Sequence, residues 1–159
     1  MSTEQIKTTD ANKALVHRLI NEWWGTNTPD PSVADELIGP DFIDHGMPGQ
    51  VPGPEGVKQG AAKNAAEHST AWGDLRYTLD ELIAEGDKVV ARGSWSGTHK
   101  GDVKTPFGTM PGTGKRATVQ AIAIFRIADG KLAEQWNMPD DLSFFQQVGA
   151  IPTPDEASV

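Results

Sequence analysis

Apolar side chains recur at Leu15, Val16, Leu19, Ile20 and Trp23, one face of a 3.6-residue period. The spacing predicts a helix entered after Asp10 or Asn12 and closed by the turn-forming run from Gly25 to Pro31. A second, short helix is predicted over 32–38, stopped by Gly39-Pro40, and DFIDH (41–45) reads as a short strand running into a Gly/Pro loop. A third helix is predicted over 54–68, with Pro54 in its first turn and Glu55 favourable to the helix dipole. From Asp74 the period changes to two. Strands over 74–84 and 88–99 flank a Glu-Gly-Asp turn, a Gly/Pro/Thr-rich loop covers 100–114, and strands over 115–127 and 131–138 flank Asp129-Gly130, a two-residue hairpin signal. A last helix is predicted over 141–150. Helices leading and hairpins following imply an α+β fold with an antiparallel sheet. Residues 10–150 read as one domain, between a flexible N-terminus (1–9) and an acidic C-terminal tail (151–159).

Strict alternation also says which side chains face inward. Val89, Ala91, Gly93, Trp95, Gly97 and His99 share the more apolar face of their strand, so His99 ends an inward row. Val119, Ala121, Ala123, Phe125 and Ile127 form the matching row. With two residues in the last turn, Ala128 faces Lys131, Phe125 faces Glu134 and Ala123 faces Trp136. That register puts Glu134 and Trp136 inside, where an apolar setting raises a carboxyl pKa. A slip of one residue puts Gln135 and Asn137 there instead.

At 159 residues the chain is long enough to bury a core without staples, and it holds no cysteine, which removes disulfides, thiolate metal sites and a cysteine nucleophile. Lys plus Arg minus Asp plus Glu is 14 − 22 = −8, a charge that repels phosphate backbones and anionic lipid, so neither nucleic acid nor membrane is an expected partner. No apolar run approaches the ~18 residues of a spanning helix and the start lacks a signal-peptide core, so a cytoplasmic location is expected.

Several stretches, in this order, resemble the SnoaL-like polyketide cyclases of the nuclear transport factor 2-like superfamily: PDFIDHG (40–46), GPEGVKQ (53–59), LDELIAEGDKVVARGSWSGTHKGD (79–102), PGTGKRATV (111–119), IFRIADGKLAEQW (124–136) and LSFFQQVGA (142–150). The resemblance implies a cone in which a curved antiparallel sheet packs on three helices around an internal, mostly apolar pocket. It implies a small, apolar, oxygenated substrate of polyketide type and ring closure by an aldol-type reaction, run by side-chain acid/base chemistry without metal or organic cofactor. Other members of the fold isomerise, open or hydrate epoxides, or only bind ligands, and fold alone does not choose among these. A homodimer is expected, paired through the outward Ile122 and Ile124. One departure stands out: members carry an inward Asp where this chain has Ala123.

The expected catalytic residues are His99, His45 and Glu134, with Asp140 next in line. The imidazoles suit proton transfer near neutral pH, and Glu134 is the inward carboxylate of the hairpin register. Trp136, Trp95, Phe42, Asp44, Met47, Ala123, Phe125 and Met110 are the expected substrate contacts, with Met47 and Met110 forming an adaptable lid from two loops. Each has a plainer reading. His45 could bond loop backbone and His99 could be a solvated strand end. Glu134 could merely hold a cation, Trp136 could be core, and Asp140 or Asp141 could cap the last helix.

Overall fold

The structure, a computed structural model, describes residues 2–26, 29–47, 49–105 and 108–152, with the side chains of 64–70 outside the description. The expected acidic tail beyond Pro152 and the side chain of His68 therefore lie outside the described residues. The first helix, α1, spans Thr3–Leu19 and begins well before the expected entry at Asp10 or Asn12. Ser2 caps it: its hydroxyl accepts from the Gln5 N–H at 3.2 Å while the Gln5 side chain accepts from the Ser2 N–H at 2.8 Å. The apolar stripe continues into a π-helical turn, Ile20–Trp24, closed by Gly25 N–H to the Ile20 carbonyl at 2.7 Å. Helix α2 (Pro31–Leu37) carries Pro31 in its first turn and is capped by Asp30, which accepts from Ser32 N–H at 2.9 Å.

Ile38, Gly39 and Pro40, expected to end that helix, instead open strand β1 (Ile38–Asp44), because Ile38 is drawn into register opposite Leu132. Helix α3 (Gly53–Ala71) follows. Gly53 starts it at φ 81°, and a Cβ there would run into the Pro40 carbonyl, so only glycine seats this helix against β1. The remaining elements are β2 (Arg76–Glu85), β3 (Lys88–Thr98), a small hairpin β4 (Val103–Thr105) and β5 (Gly108–Met110), β6 (Arg116–Ala128), β7 (Lys131–Pro139) and α4 (Asp141–Val148). Asp129 and Gly130 adopt φ 52° and 71°, the left-handed pair that a two-residue hairpin turn requires.

The main sheet has the order β1-β7-β6-β3-β2, antiparallel except for β1, which joins the β7 edge in parallel. The architecture is α+β as expected, and the four predicted helices are all present among the described residues. Both inward rows are as alternation predicts: Val89, Ala91, Ala121, Ala123, Phe125 and His99 are all buried. The last hairpin differs. Ala128 does face Lys131 and Ile127 faces Leu132, but Arg126 then faces Glu134, so Ala133 is an extra, unpaired residue. Past this bulge Phe125 faces Gln135 and Ala123 faces Asn137. Glu134 and Trp136 thus lie on the outer face, and Gln135 and Asn137 on the inner one. The physical reason is charge. The unbulged register buries a carboxylate among apolar side chains, a cost of several kcal/mol, while the bulged one sets Glu134 directly across from the Arg126 guanidinium.

The core falls into two parts. Val16 and Leu19 of α1 and Ile20 of the π-helical turn pack with Leu37, Phe42, Val89, Ala91, Ala123, Phe125 and Leu132. At the far end of β6, Ala117, Phe144 and Val148 form a second cluster with Trp72 and Val119. Among the described residues no helix is long and apolar enough to cross a membrane.

Candidate active site

The end of β1 alternates as a strand should: Phe42 is buried, Ile43 is exposed and Asp44 turns back inside. Asp44 pairs in register with Gln135, and its Oδ2 accepts from Gln135 Nε2 at 3.3 Å while Oδ1 accepts from the Gly46 N–H at 2.8 Å. Burial pushes the Asp44 carboxyl up from its ordinary range, against the opposing pull of the Gly46 amide and the adjacent His45. It lines a cavity of about 380 Å3, walled by Phe42, Met47, Gln50 and Val51, at the passage from β1 to α3. The structure therefore gathers four of the expected residues, Phe42, Asp44, His45 and Met47, around one cavity.

Two strands across the sheet from Asp44 lies β6, where Ala123 is 1 % exposed between Ala91 and Asn137. At about 4.8 Å per strand β6 lies roughly 10 Å across the sheet from Asp44, with Phe125 in the same row and Ala123 two residues further along. Buried polar atoms accompany this wall: Asn137 Oδ1, Gln50 Oε1 and the Tyr77 hydroxyl have no hydrogen-bond partner. Tyr77 belongs to an aromatic group. Its ring centre is 5.3 Å from Trp24 and 4.9 Å from Trp95, and Trp24 reaches Phe125 at 5.6 Å. Burial, and then the charge of Asp80, raise the Tyr77 pKa.

The outer face carries a different cluster. His45 Nε2 meets Glu134 Oε2 at 2.8 Å, Arg126 Nε donates to Glu134 Oε1 at 2.6 Å, and the His45 ring stacks on Trp136 with centres 4.6 Å apart and planes 6° from parallel. The hydrogen bonds from His45 and Arg126 hold the Glu134 carboxyl below its ordinary range. This overturns two expectations. Glu134 is not the inward, desolvated carboxylate, and Trp136 stacks on a histidine outside the sheet rather than beside Ala123. The inward carboxylate is Asp44.

His99 is inward and fully buried, as the alternation implies, and not a solvated strand end. Its Nδ1 lies 3.2 Å from Thr113 Oγ1, its Nε2 has no partner, and its ring sits against Trp72 and Phe144. It does not join His45 or Glu134. His99 N–H bonds the Lys115 carbonyl, whereas Glu134 faces Arg126, so the two are eleven residues apart along the chain through β6, roughly 35 Å. Asp140 caps α4 through the Ser143 N–H at 3.0 Å. Met110 lies apart from Met47, in a separate cavity of about 530 Å3 between the β4–β5 hairpin and α4, so the two methionines do not close one lid. Among the described residues no three His, Asp or Glu side chains converge as a metal ion needs.

Gln135 and Asn137 are inward only in the slipped register, and neither Tyr77 nor Gln50 is among the expected site residues. Tyr77 was findable, since alternation along its strand turns it to the same side as Leu79. Gln50, in a Gly/Pro loop, left no periodic signal.

Comparison with known proteins follows the same lines. The aklanonic acid methyl ester cyclase DauD of Streptomyces sp. (strain C5) is 28% identical over 152 residues, covering 89% of this chain and 84% of the relative. The aklanonic acid methyl ester cyclase DnrD of Streptomyces peucetius is also 28% identical, over 89% of this chain and 93% of its own. The solved structure of TsrD from Streptomyces laurentii superposes with a TM-score of 0.66 at 30% identity, covering 95% of this chain and 99% of that one. The family model described as SnoaL-like polyketide cyclase matches residues 14–148, nearly the whole described fold. With sheet order, inward rows and family model in agreement, this chain belongs to the SnoaL-like polyketide cyclase family.

Proposed function

We propose that this chain closes a ring in an aromatic polyketide ester by an intramolecular aldol reaction, with Asp44 as the proton-transfer group and without metal or organic cofactor. The observation that carries the reading is the placement of Asp44: an inward carboxyl, raised by burial, held by Gln135 on the wall of a cavity at the passage from β1 to α3. In the reaction the Asp44 carboxylate takes a proton from the carbon beside a carbonyl. The resulting enolate carbon forms the new C–C bond to a ketone carbon, and the ketone oxygen takes up a proton. Substrate and product have the same mass. A raised pKa brings a carboxylate closer to the strength this proton abstraction needs near neutral pH. The unpartnered Asn137 Oδ1 can accept from a substrate hydroxyl, and Trp24, Tyr77 and Trp95 offer flat apolar surfaces to fused rings. The two cyclase relatives, named for aklanonic acid methyl ester, support the substrate class.

A homodimer in the cytoplasm completes the proposal. Ile122 and Ile124 stand on the outer face at 48% and 36% exposure beside Met138 at 75%, an apolar stripe that pairing of two sheets removes from water. The test is chromatographic: aklanonic acid methyl ester should convert to an isomer of equal mass, and Asp44→Asn should abolish the conversion while binding persists. Binding with no turnover by the parent protein sinks the enzymatic reading. A second reading makes His99 the proton carrier, favoured by its unpartnered, buried Nε2. It predicts that His99→Ala, and not Asp44→Asn, is the inactive variant.

A further inference from the structure

The strand that delivers Asp44 is seated in the core by Ile38 and Phe42, but its hydrogen-bonded ladder is short. β1 is an edge strand, joined to the sheet only through β7, and its register is broken between Ile38 and Ile43. Ile38 faces Leu132 and Ile43 faces Glu134, so a stretch containing Gly39 and Pro40 has no regular partner, and Pro40 has no N–H to offer. Beyond that break only Ile43 and Asp44 rejoin the ladder, followed by the His45 N–H to the Gln135 carbonyl at 2.9 Å. Alternation from the buried Phe42 points Asp44 inward, and so short a ladder leaves the hold on the last residues, 44–45, to their side-chain contacts.

On the outer face, directly behind it, is a built clamp. Arg126 of β6 grips one oxygen of Glu134, the other oxygen meets His45 Nε2, and the ring of His45 lies flat on Trp136. The three side chains of the hydrogen-bonded group are partly withdrawn from water, at 33%, 22% and 38% exposure for Arg126, Glu134 and His45. Glu134 and Trp136 flank Gln135 in sequence, so the residues that hold His45 outside bracket the residue that holds Asp44 inside. The Ala133 bulge makes this arrangement possible, because without it Glu134 and Trp136 face the core.

We propose that Glu134, with Arg126 and Trp136, is a positioning residue: it pins His45 to the outer face and thereby keeps Asp44 on the inner face against Gln135. The inference rests on the reading of Asp44 as the proton carrier. Glu134 does not move a proton itself; it acts through the backbone of residues 44–45. Glutamine preserves this role. Its carbonyl accepts from Arg126 and its amide donates to an unprotonated His45 Nε2, whereas a group that transfers protons is lost in Glu134→Gln and Glu134→Ala alike.

The test needs no substrate for its first readout. Aspartate carboxyls are labelled with 13C and titrated by NMR, the Asp44 signal being identified by its absence from Asp44→Asn. In the parent and in Glu134→Gln, Asp44 should titrate above the ordinary carboxyl range. In Glu134→Ala it should fall back toward that range as the β1 end swings into water. Should Glu134→Ala fold poorly, Trp136→Ala removes the surface on which His45 is stacked, without removing the charge beside Asp44, and should give the same fall. An unmoved Asp44 titration in Glu134→Ala or Trp136→Ala overturns the proposal, as does a Glu134→Gln profile that matches Glu134→Ala. With aklanonic acid methyl ester as substrate, kcat should fall about 10- to 100-fold in Glu134→Ala with KM little changed, the scale of a misplaced reacting group, while Glu134→Gln stays near the parent. If the titration moves as described but Asp44→Asn keeps full turnover, the clamp stands and the assignment of Asp44 as proton carrier fails.

Discussion

An aspartate introduced at position 123 tests whether this wall is closed and dry. Ala123 is 1 % exposed, set between Ala91 and Asn137, and packs in the main core with Val89 and Phe125. Ala123→Asp adds a carboxyl to that wall. Overpacking costs about 1–3 kcal/mol, and an imperfectly paired polar group costs a further ~1–3 kcal/mol. A hydrogen bond from the protonated acid to the free Asn137 Oδ1 returns about 1 kcal/mol. The net loss is about 1–5 kcal/mol, or roughly 2–20 °C in Tm for a domain of this size. The pH dependence is more diagnostic. The buried acid keeps its proton in the folded state after the unfolded chain has released it, so its folded-state pKa is raised. Stability is highest below the ordinary Asp range and falls by about 1.4 kcal/mol per pH unit as pH rises above it, until the folded-state pKa is passed. Ala123→Asn lacks this slope and serves as the control. Urea unfolding of both variants from pH 4 to pH 8 measures the difference. Equal, pH-independent losses for Asp and Asn refute the closed apolar wall, and an Asp variant as stable as the parent at pH 8 refutes it outright.

The raised pKa of Asp44 carries the same sign in the parent protein: its folded state favours the neutral acid, so the contribution present below the ordinary Asp range is lost as pH rises through the folded-state pKa. Asp44→Asn should therefore raise Tm at pH 8 and leave it nearly unchanged at pH 3.5, and a Tm lowered at pH 8 contradicts the burial argument. Ile124→Glu places a charge on the outer stripe, so sedimentation at micromolar concentration should show the parent as a dimer and the variant as a monomer; a monomeric parent overturns the pairing. Dialysis against a strong chelator should leave ring closure unchanged, and activity lost and then restored by a metal ion overturns the cofactor-free reading.

The parts of this fold that rest on local pattern were legible in the chain. Alternation placed every buried residue from Val89 to His99 and from Ala121 to Ile127, and Asp129-Gly130 marked its hairpin. The start of α1 was written in the Ser2–Gln5 capping box, but the polar residues around it offered no apolar stripe to extend. The Ala133 bulge was not legible. It is set by a preference between two distant arrangements, Glu134 against Arg126 outside or Glu134 among apolar atoms inside, and no window of residues in β7 reports that contest. The site shifted with it. Once Phe42 is taken as inward, strand alternation turns Asp44 in and His45 out, so the corrected pair was present in DFIDH, yet it gains meaning only when Gln135, and not Glu134, is opposite.

The account turns on Asp44, and the most direct measurement compares steady-state ring closure of aklanonic acid methyl ester by the parent, Asp44→Asn and His99→Ala, with binding followed separately. Asp44→Asn should lose ~10²-fold or more in kcat, the scale of a missing general acid or base, while still binding the ester, and His99→Ala should retain most of its turnover if it folds. Parent-like turnover by Asp44→Asn contradicts the account.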